Sequence, residues 1–390
     1  MKKWKKYVTA ALAAMVCASV LAGCGGGAKK EEAKEIKIGA SFELTGNVAM
    51  YGKNILSGVK MSMDEANAKG GVLGKKIVII ESDNKSEPSE SGNSITKLVT
   101  QDKVVAVVGP ATSGCVAAGS PITEANKIPH IAPSGTAPGL TVANDGKVKP
   151  FMFRACFIDP FQGQVMATFA NNTLKAKNIA ILKDSSSDYS KGLATFFKDN
   201  FLKNGCEVVA EEAYLQKDTD FKSTLTKVKA ANPDFIYVPG YYQEVGLIIK
   251  QAREIGLNIA IAGGDGWDSA KLPEIAGKEA LNGTFFCNLY SPDDTSDLNK
   301  NFVAEYQKMY NSKPDVFAAL AHDSAMAIVK GIEDAKSADP AKVAAAVAKI
   351  KDLQGVSGAL TFDDKHNPIK SAVIIEHIDG KQTFKTKINP

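Results

Sequence analysis

The sequence predicts an α/β protein built from two doubly wound, Rossmann-like lobes with parallel sheets. Short β-branched strands alternate with helices in the first part of the chain, and the same alternation returns in the second part. This alternation is typical of βαβ units on a parallel sheet. The chain has 390 residues, which fits two domains at about 100–200 residues each. Its 44% apolar and 23% charged residues are ordinary for a soluble globular protein.

The first part of the chain contains three short apolar runs that predict buried strands: Ile36–Ser41, Ile77–Ile80 and Val104–Val108. Between the first two strands, apolar side chains recur at helical spacing over 55–66, and Gly70-Gly71 ends that helix. The residues 95–99 mark a second helix, and Gly109-Pro110 ends the third strand. The order strand, helix, strand is therefore regular from residue 36 onwards.

The second part repeats this plan. Four strands are predicted there: Ile179–Leu182, Val208-Val209, Phe235–Val238 and Ile259–Ala262. Three helices lie between or after them: Tyr189–Asn204, Phe221–Ala230 and Glu244–Glu254. A helix-rich stretch follows over about 290–364, with helices predicted at Asn299–Asn311, Ala318–Asp334 and Ala341–Lys351. The pattern alone does not decide which lobe this stretch covers.

The N-terminus has the pattern of a secretory signal. Four lysines lie in the first six residues, and the uncharged stretch Tyr7–Ala22 follows. The stretch ends in Leu21-Ala22-Gly23-Cys24, which resembles the bacterial lipoprotein box, where cleavage precedes a cysteine that receives a diacylglyceryl group. We expect lipidation of Cys24 and an extracytoplasmic protein anchored to the cell membrane as a lipoprotein. The alternative is an ordinary signal peptide with a chance cysteine.

The charge of the chain argues against nucleic acid as a partner. The formal net charge is +4. Without the four lysines near the N-terminus, 43 basic residues stand against 43 acidic ones. The rest of the chain is therefore neutral overall, and a neutral chain does not attract the phosphate backbone of a nucleic acid.

The loops after the predicted strands contain the candidate binding residues, because ligands of open α/β sheets bind beyond the carboxyl ends of the strands. These loops are rich in glycine, hydroxyl and aromatic residues. They are 109–114, 132–136, 184–189, 239–242 and 263–267.

Three of these residues together suit a zwitterion. Ser113 and Thr136 supply hydroxyl donors, and the start of a following helix binds an anion without a basic side chain. Asp265 lies between glycines and can accept hydrogen bonds from an ammonium group. The plainer alternative is that Ser113 and Thr136 are helix caps and that Asp265 is a turn residue.

Several motifs resemble those of a known family. They include Lys69-Gly70-Gly71-Val72-Leu73-Gly74, Ser134-Gly135-Thr136-Ala137-Pro138, Pro239-Gly240-Tyr241, Gly263-Gly264-Asp265-Gly266-Trp267-Asp268-Ser269, Phe317-Ala318-Ala319-Leu320-Ala321 and Gly358-Ala359-Leu360-Thr361-Phe362-Asp363. In this order they resemble the branched-chain amino acid (leucine/isoleucine/valine) substrate-binding proteins of bacterial ABC importers, which have the type I periplasmic-binding-protein fold. The resemblance runs from about residue 36 to the C-terminus.

The resemblance implies a role for each candidate residue. Ser113 corresponds to the position that holds the α-carboxylate, and Ser134 and Thr136 to positions that contact the amino and carboxylate groups. Asp265 corresponds to the acid that pairs with the ammonium group. The walls of the side-chain pocket are implied at Tyr51, Tyr189, Tyr241, Trp267 and Phe317. The alternative for these aromatic residues is core packing.

The resemblance also implies three crossings between the lobes, near Cys156–Asp159, Asn288–Ser291 and Pro368–Ser371. The chain then divides into a signal peptide (1–23), a lipid-anchored tether (24–35), lobe one (36–156 and 291–368) and lobe two (157–290 and 369–390). A disulfide found in lobe one of well-known members has no counterpart here, because Thr112 precedes Ser113. Four further cysteines, at 115, 156, 206 and 287, allow three full pairings or buried free thiols.

An enzyme is not indicated. The sequence contains no Gly-x-Ser-x-Gly elbow, no His-Glu-x-x-His motif and no Walker A loop, and its four histidines are scattered. We expect a monomer that needs no cofactor or metal, binds a branched-chain or other aliphatic amino acid and delivers it to ABC permease and ATPase subunits. The alternatives are a receptor of the same fold for an amide, urea or an aromatic acid, a sensory receptor, and a secreted hydrolase.

Overall fold

The computed structural model describes residues 34–389. The predicted signal peptide, the lipidation of Cys24 and nearly all of the predicted tether lie outside the described residues. Within 34–389, no helix combines the length and the apolar character needed to cross a bilayer.

Lobe one is built on a five-stranded parallel sheet with the order β2-β1-β3-β4-β5. Its strands are β1 (Glu35–Phe42), β2 (Lys76–Asp83), β3 (Ala106–Val108), β4 (His130–Ala132) and β5 (Met152–Arg154). Three helices connect the first four strands: α1 (Ala49–Ala68), α2 (Pro88–Thr100) and α3 (Ser113–Ala125). Every residue of the central strand β3 is buried, as expected for a parallel sheet that is covered on both faces.

Lobe two is built on a seven-stranded sheet with the order β12-β11-β10-β9-β8-β6-β7. Its strands are β6 (Asn178–Asp184), β7 (Glu207–Tyr214), β8 (Phe235–Tyr237), β9 (Ala260–Gly263), β10 (Thr284–Asn288), β11 (Ala372–Ile378) and β12 (Lys381–Ile388). Its helices are α4 (Asp159–Asn172), α5 (Asp188–Leu202), α6 (Lys222–Ala230), α7 (Tyr242–Glu254) and the short α8 (Leu272–Ala276).

The two C-terminal strands differ from the rest because they are antiparallel. Strand β11 pairs antiparallel with both β10 and β12. Only Asp379 and Gly380 connect β11 to β12, and both have positive φ angles of 51° and 72°. Two residues with positive φ form the tight turn that matches the twist of an antiparallel hairpin. The sheet of lobe two is therefore mixed rather than wholly parallel.

The helix-rich stretch packs on lobe one. Its helices are α9 (Asp297–Tyr310), α10 (Val316–Ala335) and α11 (Pro340–Val347). The Tyr310 hydroxyl donates a hydrogen bond to the carbonyl of Ser57 on α1, at 3.1 Å. A methyl group added at Gly58 would lie 2.1 Å from the carbonyl oxygen of Ala318, so α1 and α10 are in direct backbone contact.

Side-chain caps define where these helices begin. Ser296, Asp315 and Asp339 each accept a hydrogen bond from a backbone N–H of the first helical turn. Such a cap satisfies one of the donors that a helix start leaves unpaired and contributes about 0.5–2 kcal/mol. Asp315 also accepts a hydrogen bond from the side chain of Asn54 on α1, which ties the start of α10 to lobe one.

Two glycine substitutions should have opposite effects on the free energy of unfolding, because only Gly58 lies at the contact between α1 and α10. Gly58→Ala should lower the free energy of unfolding by about 1–3 kcal/mol, because overpacking forces backbone apart. Gly92 lies inside α2, where an added methyl group would meet its nearest atom at 3.8 Å. Gly92→Ala should raise the free energy of unfolding by about 0.5–1 kcal/mol.

Urea unfolding of both variants makes the comparison. A gain of similar size in the two variants would show that Gly58 is not in close contact with the backbone of α10.

Candidate functional site

A small cavity lies between the two lobes. It lies beyond the carboxyl ends of the parallel strands, where ligands of open α/β sheets bind. The residues that line it are Tyr51, Ala111, Thr112, Ser113, Ser134, Tyr189, Tyr241, Asp265, Gly266 and Phe317.

The lobe-one wall is rich in hydrogen-bonding groups and has no basic side chain among its lining residues. Ser113 is the first residue of α3, and its hydroxyl accepts a hydrogen bond from the N–H of Ala137 at 3.2 Å. The Ser134 hydroxyl donates to the carbonyl of Ala111 at 2.9 Å. The start of a helix is a place where N–H groups and the helix dipole favour an anion.

Sequence reasoning missed Glu43, which holds the turn before α3. Its carboxylate accepts hydrogen bonds from the N–H of Ala111 and the N–H of Thr112, each at 3.0 Å, and from the Thr112 hydroxyl at 2.9 Å. The side chain is fully buried, and burial raises its pKa. An acid directly after the apolar strand β1 was the available signal, because carboxylates are rarely buried without partners.

The lobe-two wall presents one carboxylate, that of Asp265. One of its oxygens, Oδ1, accepts hydrogen bonds from the Tyr189 hydroxyl at 2.8 Å and from the Gln162 side chain at 3.1 Å. Burial raises the pKa of Asp265 to about 6, although both hydrogen bonds favour the ionised form. A positively charged partner is the group that most stabilises the ionised form of such a buried carboxylate.

Aromatic rings form the remaining walls. Tyr51 and Phe317 stack with ring centres 4.1 Å apart, and Tyr189 and Tyr241 stack at 5.3 Å with nearly parallel planes. Tyr51 meets Tyr241 edge to face at 5.9 Å, which joins the two pairs across the lobes. The cavity thus combines an apolar surface with a few convergent polar groups, as small-molecule sites do.

The cleft is closed, because side chains of the two lobes bond directly. The Tyr51 hydroxyl donates to the carbonyl of Gly266 and accepts from the N–H of Tyr242 at 3.3 Å. The Asn47 side chain donates to Glu244 at 2.9 Å. Lys217 and Glu87 form an exposed ion pair at 2.7 Å, which solvent screens.

The structure brings seven of the nine predicted binding residues to the cavity and places two behind its walls. Thr136 is buried, and its carbonyl accepts a hydrogen bond from the N–H of Asp159 at 3.1 Å. Trp267 is fully buried, and its indole N–H donates to the carbonyl of Val238 at 2.9 Å. The short 3₁₀ turn at Asp265–Trp267 directs Asp265 towards the cavity and Trp267 into the core.

The four described cysteines are free and buried. Burial raises the pKa of Cys156 to about 12, and it also raises the pKa of Cys115 and of Cys287. Thiols of this kind are poorly reactive, because the thiolate is the reactive form. In the part of the chain from 34 to 389, no three His, Cys, Asp or Glu side chains come together as a metal site would require.

The burial of Asp265 predicts a stability effect that depends on pH. Its folded pKa of about 6 lies above the ordinary value of 3.8. The folded state therefore loses stability as the pH rises from about 4 to about 6, and the loss persists at higher pH. Asp265→Asn should raise the melting temperature of the unliganded protein at pH 7 and leave it unchanged below about pH 4.

Asp83→Asn is the matched control with the opposite sign. Asp83 accepts hydrogen bonds from the N–H groups of Leu44, Thr45 and Lys85, and its pKa is lowered. This variant should melt at a lower temperature above pH 4. Melting curves of both variants from pH 3 to pH 8 test this prediction. Equal shifts in melting temperature in the two variants would show that the burial of ionised Asp265 does not destabilise the folded protein.

Comparison with known proteins places the chain in a family. The family model described as periplasmic binding protein matches residues 35–382. The Leu/Ile/Val-binding protein BraC3 of Rhizobium johnstonii is 33% identical over 85% of this chain and 88% of its own. The leucine-binding protein LivK of Thermotoga maritima is 35% identical, covers 91% of this chain and 99% of its own, and has a TM-score of 0.86.

The branched-chain amino acid transporter substrate-binding protein LivJ of Streptococcus pneumoniae was solved in complex with isoleucine. It is 38% identical, covers 91% of this chain and all of its own, and also has a TM-score of 0.86. Coverage is nearly complete on both sides, so these are similarities of whole proteins. The chain belongs to the periplasmic binding protein family.

Proposed function

We propose that this protein is the extracytoplasmic substrate-binding component of an ABC importer and that it captures a branched-chain or other aliphatic amino acid between its lobes. The observation that carries the proposal is the division of charge in the cavity. Anion donors lie on lobe one, the Asp265 carboxylate lies on lobe two, and no basic side chain lines the space between them. The names of the similar proteins above support the same class of ligand.

The α-carboxylate binds at the start of α3, where the Ser113 hydroxyl and N–H offer hydrogen bonds, and the Ser134 carbonyl accepts one from the ammonium group. Thr136 supports this wall from behind. The ammonium group pairs with Asp265, and its positive charge removes the energetic penalty of burying that carboxylate. The pairing needs the ionised form of Asp265, so affinity decreases as the pH falls below about 6.

The aliphatic side chain of the ligand packs against Tyr51, Phe317, Tyr189 and Tyr241. Asp265 is the only ionisable acid or base in the cavity lining apart from these tyrosines. The cavity thus has no partner for a charged ligand side chain, and burying an unpaired charge is unfavourable. An aliphatic side chain meets this requirement.

Capture proceeds by closure, with no chemical turnover. The amino acid first binds lobe one, because most of the hydrogen-bonding groups lie there. Closure then brings Asp265 and Tyr241 onto the ligand, and the bond from the Tyr51 hydroxyl to the carbonyl of Gly266 joins the lobes. The closed form docks on the permease, and ATP hydrolysis takes place on other subunits.

The lobes comprise residues 36–156 with 291–368 and residues 157–290 with 369–390. The order of the strands supports this division, since β1 to β5 form one sheet and β6 to β12 form the other. We propose in addition that cleavage before Cys24 and lipidation of its thiol anchor the mature protein outside the cell membrane.

A thermal-shift screen of the twenty amino acids tests the proposed ligand. Leucine, isoleucine and valine should raise the melting temperature, because a ligand at 100 times its Kd stabilises the native state by about 2.7 kcal/mol. Aspartate and lysine serve as controls and should have no effect. A shift with an amide, urea or an aromatic acid, and none with any amino acid, would overturn the proposal.

Cys24→Ser tests the anchor. The variant should appear in the soluble extracytoplasmic fraction and still bind its ligand, because Cys24 lies outside the lobes. Cys17→Ser is the matched control, since Cys17 lies within the predicted signal peptide, and this variant should stay with the membrane. Unmodified wild-type protein in the soluble fraction would show that the chain is not a lipoprotein.

A further inference from the structure

Gln162 lies beside the cavity without lining it and is fully buried on α4. Its side chain makes two hydrogen bonds with the same acid. The Oε1 atom accepts from the N–H of Asp265 at 2.7 Å, and the Nε2 group donates to Oδ1 of Asp265 at 3.1 Å. One carboxamide therefore holds both the backbone and the side chain of Asp265.

The packing around Gln162 leaves room for this contact. A methyl group at Gly264 would lie 2.6 Å from Oε1 of Gln162 and 2.6 Å from the Tyr189 hydroxyl oxygen. A methyl group at Gly163 would lie 2.7 Å from the backbone nitrogen of Phe197 on α5. Two glycines thus allow α4 to approach both α5 and the Asp265 turn closely enough for the carboxamide to reach.

The direction of the hydrogen bonds determines which oxygen of Asp265 is free. Gln162 and Tyr189 both donate to Oδ1. Among the described residues, no side chain donates a hydrogen bond to Oδ2. Asp265 lines the cavity, so the arrangement leaves Oδ2 for a donor that comes from the ligand.

Gln162 also reaches a second acid. Its Nε2 group lies 3.5 Å from Oδ1 of Asp159, the first residue of α4, and the other oxygen of Asp159 is buried without a hydrogen-bond partner. Burial raises the pKa of Asp159 to about 7, with a contribution from the charge of Asp265. The carboxamide thus lies between two carboxyl groups that disfavour each other's ionisation.

We propose that Gln162 is a positioning residue for amino acid binding, which aims the free oxygen of Asp265 at the ligand's ammonium group and favours its ionised form beside Asp159. The proposal rests on the proposed function and deepens it. Gln162 contacts no ligand itself and acts through Asp265.

Gln162→Met tests the proposal, because methionine keeps the length of the side chain and removes both hydrogen bonds without changing charge. The Kd for leucine should rise about 10- to 100-fold, the effect of losing a hydrogen bond to a charged group. Gln251→Met is the matched control. Gln251 makes two hydrogen bonds in lobe two, with the N–H of Phe221 and with the carbonyl of Thr219, and does not line the cavity.

Two readouts separate positioning from general support of the fold. The first is a double-mutant cycle with Asp265→Asn. If Gln162 acts through Asp265, the double variant should bind leucine no more weakly than Asp265→Asn alone, whereas independent effects would add.

The second readout is the pH dependence of the Kd. The titratable groups near the two acids are Arg154, whose charge lowers the pKa of Asp159, and six groups whose own pKa values are raised: Tyr51, Cys156, Tyr189, Tyr237, Tyr241 and Cys287. Loss of the Gln162 donor raises the pKa of Asp265, so affinity should begin to decrease at a higher pH than in the wild type. Gln251→Met should keep the wild-type profile.

An unchanged Kd in folded Gln162→Met, an additive double variant or an unshifted pH profile would each overturn the proposal. If circular dichroism shows that Gln162→Met is unfolded, Gln162→Asn replaces it. Asparagine keeps a neutral polar group in the buried site, and its side chain, shorter by one methylene, withdraws the donor from Oδ1 of Asp265, so the same weakening and pH shift are expected. Wild-type protein that binds no amino acid would instead refute the proposed function, and the role of Gln162 would fall with it.

Discussion

The burial of one carboxylate between two lobes is the constraint on which the site depends. Asp265 is almost wholly buried, and burial outweighs the two hydrogen bonds that favour its ionised form, since its pKa is raised to about 6. Buried charge is tolerated when a partner neutralises it. The cavity lining holds no basic side chain, so under the proposed function the partner is the ammonium group of the ligand. The closed, empty site bears the energetic cost of an unpaired buried carboxylate. The ammonium group of the ligand removes that cost, so ligand binding favours closure.

The division of polar groups between the lobes explains why closure and binding are one event. Lobe one contributes the Ser113 hydroxyl after a turn that Glu43 holds in place, and the Ser134 hydroxyl bonds to the same turn. Lobe two contributes the carboxylate, held by Gln162 and Tyr189 on neighbouring helices. Neither lobe offers both charges to a zwitterion, and a ligand of small volume reaches both walls only when the cleft is closed. The contacts of Tyr51 across the cleft then add to the stability of the closed form.

The fold and much of the cavity follow from local sequence patterns. Ser113, Ser134 and Asp265 come directly after short apolar strands, and the carboxyl ends of parallel strands meet at one edge of the sheet. The position of Trp267 could not be predicted in the same way, because a 3₁₀ turn separates the directions of two side chains that are only two residues apart. Gln162 and Glu43 lie on a helix and at a strand end, and only tertiary packing brings them to the site. Which lobe the helix-rich stretch packs on is also decided by a contact between residues far apart in the chain, that of α1 with α10.

The most direct test of the zwitterion receptor is a comparison of three ligands by titration calorimetry. These are leucine, 4-methylpentanoate, which lacks the ammonium group, and 3-methylbutylamine, which lacks the carboxylate. Leaving one side of a buried charged pair unpaired costs about 2–5 kcal/mol, so each truncated ligand should bind at least about 30-fold more weakly than leucine. If 4-methylpentanoate binds as tightly as leucine, the cavity recognises organic acids and Asp265 does not pair with an ammonium group.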